Sequence, residues 1–179
     1  SNIVQMAVTC AYWGDWTSVY FLDDQGRAWS CGYNGYGQLG DGSTANRLAP
    51  VQVTGSQNWS WIGCAGARYS HAFAIDQDGN AFSWSLNARG ELGVGNTTNQ
   101  SGPTAVSLPG TVKAIIGEND GDGNGNPFGL TFWLLDDGRI YASGYNAYGQ
   151  LGVGDTTNRT TPVQVGQISN AVDVQVGGG

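Results

Sequence analysis

The sequence predicts an all-β fold built from repeats, and three observations predict it. Residues 31–53 (CGYNGYGQLGDGSTANRLAPVQV) and 143–165 (SGYNAYGQLGVGDTTNRTTPVQV) share sixteen of twenty-three positions at a constant offset of 112. Short stretches rich in β-branched and aromatic residues alternate with Asp- or Asn-containing glycine turns, which is how hairpins read, because a tight turn needs positive φ. No segment keeps the i, i+3, i+4 spacing of an amphipathic helix through three turns.

A middle copy, SLNARGELGVGNTTNQSGPTAV, occupies 85–106. The anchoring leucines Leu39, Leu92 and Leu151 step by 53 and then 59, and so do the turn glycines Gly26, Gly79 and Gly138. Whole units therefore repeat, and a period of this length points to a propeller, solenoid or array. In order, each unit predicts a first strand (18–22, 71–75, 130–135), a glycine turn and a second strand (28–32, 81–85, 140–144). The repeated phrase then follows. Its glycines allow backbone conformations closed to other residues. Asn34, Asn87 and Asn146 are placed to hydrogen-bond neighbouring backbone, and the three leucines to pin the turn to the core. The phrase reads as a folding instruction.

The units run over about 1–56, 57–109 and 110–168. The opening SNIVQMAV (1–8) lines up with SNAVDVQV (169–176), so 169–179 begins a fourth unit. Sheets that end there leave raw edges. Two expectations follow: a segment of a longer polypeptide, or self-association in which terminal strands of identical chains complete one another.

The phrase and its surroundings, in DDGRIYASGYNAYGQLGVGDTTNRTTPVQV above all, resemble the regulator-of-chromosome-condensation repeat. That unit runs strand, Asp-Gly, strand with an aromatic, Gly-x-Asn-x-x-Gly-Gln-Leu-Gly, then Pro-x-x-Val. The middle copy departs from it, with Ser85 in place of the glycine and Glu91 in place of the glutamine. The resemblance implies one four-stranded propeller blade per unit, about three blades here, in a ring usually of seven. It also implies, for the best-known members, guanine-nucleotide exchange on a small nuclear GTPase and docking on chromatin. Other members resemble plain binding scaffolds, including secreted enzyme inhibitors.

Composition bounds the rest. At 179 residues the chain is long enough for one domain with a sizeable core. Only 12% of residues are charged and the net charge is −7. Seven scattered Lys and Arg do not supply the clustered positive charge that a nucleic-acid binder needs. No apolar run is long enough to span a membrane as a helix. Cys10, Cys31 and Cys64 show no CxxC spacing and read either as small buried hydrophobes or as one disulfide plus a thiol. Low lysine with abundant Gly, Asn, Thr, Ser and Trp leads to the expectation of an extracellular or virion-surface protein, tail-fibre-like.

Catalytic motifs are absent from the sequence, and the single histidine, His71, reads as structural at the start of a strand. The repeats differ most in the loop before each first strand: 11–17, 66–71 and 117–129. Loops on a rigid scaffold are where binding sits. Tyr12, Trp13, Trp16, Arg68 and Tyr69 are the expected contacts to a protein or surface receptor, since Trp, Tyr and Arg dominate hot spots; the alternative is that the tryptophans cap the core. In the third loop Glu118, Asp120, Asp122, Asn124 and Asn126 offer alternating oxygen ligands around glycine, as calcium loops do. A solvated Gly/Asn loop is the other reading, and no other cofactor is expected. The function expected is a non-enzymatic binding or structural module, with a GTPase regulator as the alternative.

Overall fold

The computed structural model describes residues 1–9, 16–55, 58–66, 70–121 and 127–175. Among them twelve strands run in chain order and no helix occurs. The first sheet holds β1 (Ile3–Val8), β2 (Ser18–Asp23), β3 (Ala28–Gly32) and β4 (Arg47–Gln52). The second holds β5 (Trp59–Ala65), β6 (His71–Asp76), β7 (Ala81–Ser85) and β8 (Gln100–Ala105). The third holds β9 (Val112–Gly121), β10 (Pro127–Leu135), β11 (Ile140–Gly144) and β12 (Arg159–Gln164). Each is an antiparallel meander in which sequence neighbours are hydrogen-bonded neighbours. The all-β, blade-type architecture is the one that the repeats predict.

The middle hairpin of each sheet closes on a glycine, and the reason is conformational. Gly26, Gly79 and Gly138 adopt φ of 72°, 80° and 80°, where a Cβ is penalised. Their amides donate to Asp23, Asp76 and Leu135. The fourth strand carries a proline in every sheet: Pro50, Pro103 and Pro162. Proline has no N–H to give, so it is tolerated at an edge and discourages further pairing there.

The sheets stack face to face along two seams. Tyr20, Leu22 and Ala28 of the first sheet meet Trp59, Ile62, Ala72, Ala74 and Trp84 of the second. Phe73, Ile75 and Ala81 on the other face of the second sheet meet Val112, Ile115, Trp133 and Leu135 of the third. The strands β1, β5 and β9 lie side by side at one edge of the stack. There the Gln5 amide bridges two sheets, donating to the Ile62 carbonyl at 2.6 Å and accepting from its N–H at 3.1 Å. A groove of about 320 Å³ runs along these strands between Gln5, Trp61, Cys64, Ile115 and Gly117.

The two outward faces of the stack remain apolar. Val4, Met6 and Val8 of β1 are exposed on one, and Leu130, Phe132, Ala142 and Leu151 cluster on the other. Ala171 at the end of the third sheet donates to the Gly138 carbonyl just as Trp59 does to Gly26 and Val112 to Gly79. Each hairpin glycine thus hands the chain to the next unit. Cys31 and Cys64 are free thiols, and Cys10 lies outside the described residues.

Candidate functional site

Antiparallel topology puts the β1–β2, β5–β6 and β9–β10 connections on the same end of the stack as the repeated phrase. The phrase itself is built around one asparagine per sheet. Asn34, Asn87 and Asn146 are fully buried. The side-chain oxygen of each accepts from the amide of Leu39, Leu92 or Leu151 at 2.9–3.1 Å. The amide nitrogen of each donates to two carbonyls across the loop: 43 and 45, 96 and 98, or 155 and 157. Its own N–H is held by Asn46, Asn99 or Asn158. Each loop is therefore braced across its width by its buried asparagine, whose side chain and N–H are all paired.

That bracing presents what the loop does not use. Tyr33 and Tyr36 stand on the first loop with Trp16 laid against them, at ring separations of 4.8 Å and 6.3 Å. The third sheet repeats the arrangement with Phe128 on Tyr145 at 4.8 Å and Tyr148 at 6.4 Å from Tyr145. Tyr148 is 85% exposed. Between the clusters the Arg89 guanidinium of the second sheet lies 5.9 Å from the Tyr145 ring, within reach of a cation–π contact. The positions correspond: 16, 69 and 128 step by 53 and 59, as do 33, 86, 145 and 36, 89, 148. One end of the molecule therefore carries a band of aromatic rings with an arginine inside it.

Of the residues expected for partner binding, Trp16 belongs to this band, while Tyr12, Trp13, Arg68 and Tyr69 lie outside the described residues. Tyr33, Tyr36, Phe128, Tyr145 and Tyr148 were not among those expected. The signal for them was present: position 16 of the period is aromatic in all three units, and the first and third units share both tyrosines of the phrase.

The 117–129 segment requires a correction. It is a hairpin arm rather than a loop through most of its length, since β9 runs to Gly121 and pairs Glu118 with Leu130 and Asp120 with Phe128. Glycine and asparagine do not prevent antiparallel pairing, so their abundance misled the sequence reading. Asp122, Asn124 and Asn126 lie outside the described residues. Among the described residues no group of three or more His, Cys, Asp or Glu side chains is placed to hold a metal.

Beneath the band, the seam between the second and third sheets holds two buried titratable groups. The imidazole of His71 lies 2.9 Å by Nε2 from Thr131 Oγ1 and 3.3 Å by Nδ1 from Asn119 Nδ2. Thr131 uses its hydroxyl hydrogen on the Glu91 carbonyl at 2.7 Å, so Nε2 must carry the imidazole proton and Nδ1 must accept from Asn119. Burial pushes this neutral imidazole down to about 3. Glu91 is fully buried, and burial pushes its carboxyl up to about 7, with backbone amides of its own loop offsetting only part of that. Both side chains are fully buried.

The repeat model described as "Regulator of chromosome condensation (RCC1) repeat" matches residues 25–75 and 137–179, together more than half of the chain. The chain belongs to the RCC1 repeat family. It is 28% identical over 166 residues to the human regulator of chromosome condensation, covering 89% of this chain and 37% of that protein. Human RCC2 is 33% identical over 138 residues, covering 73% of this chain and 24% of that protein. The Arabidopsis thaliana ultraviolet-B receptor UVR8 is 28% identical over 147 residues, covering 82% and 32%. Among solved structures, Prp20p of Saccharomyces cerevisiae superposes with a TM-score of 0.73 at 21% identity, over 94% of this chain and 40% of that one. The chain thus spans about a third of the length of the relatives it matches.

These RCC1-repeat relatives overturn the expectation of an extracellular or virion-surface protein, for they are nuclear or cytoplasmic. The composition behind that expectation has a structural cause. Among the described residues seventeen glycines take positive φ, and each asparagine bracket consumes two Asn per unit, so the blades themselves demand a low-charge, Gly- and Asn-rich chain.

Proposed function

We propose that this chain is part of an RCC1-repeat propeller that regulates a protein partner by docking it on the aromatic end, without a covalent step. The observation that carries the reading is the pair of ring clusters, Trp16–Tyr33–Tyr36 and Phe128–Tyr145–Tyr148, held on loops braced by the buried Asn34 and Asn146. Rigid aromatic side chains bury large area at low entropic cost, which suits them to protein interfaces. The partner class best supported is a small GTPase, with guanine-nucleotide exchange as the action. A relative is named as regulator of chromosome condensation, and the Prp20p structure is described with its binding to Gsp1p and histones. The net charge of −7 further favours basic proteins over nucleic acid as additional partners.

The test is release of labelled GDP from a panel of small GTPases, together with capture of the same GTPases and of purified core histones. At least a tenfold acceleration by the wild type is expected, lost together with capture in Tyr36→Ala/Tyr148→Ala while the thermal midpoint stays unchanged. Capture without accelerated release would reduce the function to scaffolding. Wild-type capture unaffected by the double substitution would remove the aromatic end from the reading.

A further inference from the structure

The glutamine of the repeated phrase has one structural task in the first and third sheets. Gln38 and Gln150 fold back so that Oε1 accepts the N–H two residues earlier, from Tyr36 and Tyr148, each at 2.8 Å. In the second sheet the same task falls to a carboxyl group: Glu91 Oε2 accepts the Arg89 N–H at 2.6 Å. The second oxygen, Oε1, is buried and has no hydrogen-bond partner among the described residues. Its surroundings belong to the neighbouring sheet. A Cβ placed on Gly129 would lie 2.6 Å from Glu91 Cδ, so the carboxyl presses on the bare backbone at the start of β10. Two residues on, Thr131 donates to the Glu91 carbonyl, as Ser143 does from β11 at 3.3 Å.

A buried oxygen without a partner is tolerable in a neutral acid, whose proton can sit there, and costly in a carboxylate. We infer that Glu91 is a proton-operated latch: protonated it closes the seam between the second and third sheets, and ionised it loosens that seam while leaving the first one untouched. The groups facing it support the assignment. Arg89 on its own loop has its guanidinium 5.9 Å from the Tyr145 ring, and its charge draws the Glu91 carboxyl down by less than burial pushes it up. On β6 His71 is neutral and committed to Thr131 and Asn119. Among the described residues, β10 and β11 bring Gly129, Thr131 and Ser143 against it, none of which titrates, and Glu118 of β9, opposite Leu130, brings no positive charge. In the first seam Gln38 Nε2 is likewise buried without a partner, but an amide cannot ionise, so that seam has no proton-operated counterpart. The shift of the Glu91 carboxyl to about 7 puts the change near neutral pH.

The sign follows by linkage. A carboxyl whose folded value is raised contributes stability that is fully present below its unfolded value of about 4.5 and is lost as pH rises through about 7. The experiment compares thermal midpoints of the wild type and Glu91→Gln between pH 4.5 and 8. The two should coincide at the acid end, and the variant should exceed the wild type by about 5 °C at pH 8. Amide exchange, corrected for intrinsic rates, should show protection in β9–β12 falling with pH relative to β1–β4 in the wild type alone. Gln38→Glu combined with Glu91→Gln should move the pH-dependent loss to the first seam. A gap that is constant across pH, a Glu91 carboxyl carbon that titrates at the ordinary glutamate value, or a loss of protection spread evenly over all three sheets would each overturn the latch.

Discussion

At the seam between the first and second sheets, the indole N–H of Trp84 and the hydroxyl of Tyr20 both donate to the Gln38 carbonyl at 2.7 Å. At the seam between the second and third, the same carbonyl one unit later, that of Glu91, is met by the hydroxyls of Thr131 and Ser143. The glycine two residues further on is the floor of each socket. A Cβ on Gly40 would reach to 2.7 Å from the Trp84 ring, and one on Gly93 to 2.8 Å from Trp133. The two tryptophans come from different strands, β7 and β10, yet fill equivalent sockets. What is constant is therefore backbone, a carbonyl and a bare Cα; what varies is the side chain that plugs it. Fold conservation in such repeats needs less sequence identity in the plug than in the socket.

Substitutions can break this comparison, and the largest effect is expected at the plug. Trp84→Ala removes a fully buried ring and the donor to Gln38, and should cost about 4 kcal/mol in denaturant unfolding. Trp84→Phe, which keeps most of the ring, should recover more than half of that. Next comes the bracket that shapes the socket. Asn87→Ala abolishes three hydrogen bonds to loop backbone made by a buried side chain and should cost about 3 kcal/mol, with the same loss for Asn34→Ala if the two sockets are equivalent.

The pH response sharpens the difference between the seams. His71 has a lowered folded value, so its contribution is present above the unfolded value of 6.5 and is lost as pH falls toward about 3. Glu91 has the opposite sign, losing its contribution as pH rises from about 4.5 to about 7. Between pH 4.5 and 6.5 the two slopes oppose one another, and wild-type stability should be nearly flat. In Glu91→Gln the histidine slope stands alone, so unfolding free energy should fall by about 2–3 kcal/mol as pH drops from 6.5 to 4.5. A flat profile in the variant would mean that the imidazole is not the buried neutral group described.

The smallest effect tests a conformational substitution. Gly32 and Gly144 take φ of 109° and 105°, and Ser85 takes 93° at the same place in the second sheet. A Cβ on Gly32 would lie 2.3 Å from the Thr17 carbonyl oxygen. Ser85 faces the corresponding Ser70 carbonyl and donates its hydroxyl to it at 2.9 Å, which offsets the strain of positive φ. Ser85→Ala should cost about 1 kcal/mol by losing the bond and keeping the strain; Ser85→Gly should change stability by less than about 0.5 kcal/mol, since relief of strain offsets both losses.

The fold was legible because its determinants are local and repeated. Turn glycines, bracket asparagines and anchoring leucines act within one unit, so their spacing carries the architecture. The aromatic end was half legible. Trp16 stood out as a divergent loop residue, whereas Tyr33 and Tyr145 were absorbed into the repeated phrase and discounted with it. Nothing in the spacing says that the phrase folds its Asn and Leu inward and turns its tyrosines out; that requires the three-dimensional course of the loop. The role of Glu91 was visible as a departure from glutamine, but its meaning depends on burial against Gly129, thirty-eight residues away. The start of the expected calcium loop was illegible for the converse reason, because composition does not say whether a segment such as 118–120 is already paired as strand.

The bond that joins each hairpin glycine to the third residue of the following unit, Gly26 to Trp59, Gly79 to Val112 and Gly138 to Ala171, has a consequence for how such a gene can grow. One period of coding sequence specifies a socket, a plug and the hand-over that joins them. Tandem duplication of that period delivers a sheet already fitted to copies of its neighbours on both sides. Each new copy is then free to acquire its own exposed rings, as the three units here have done to different degrees.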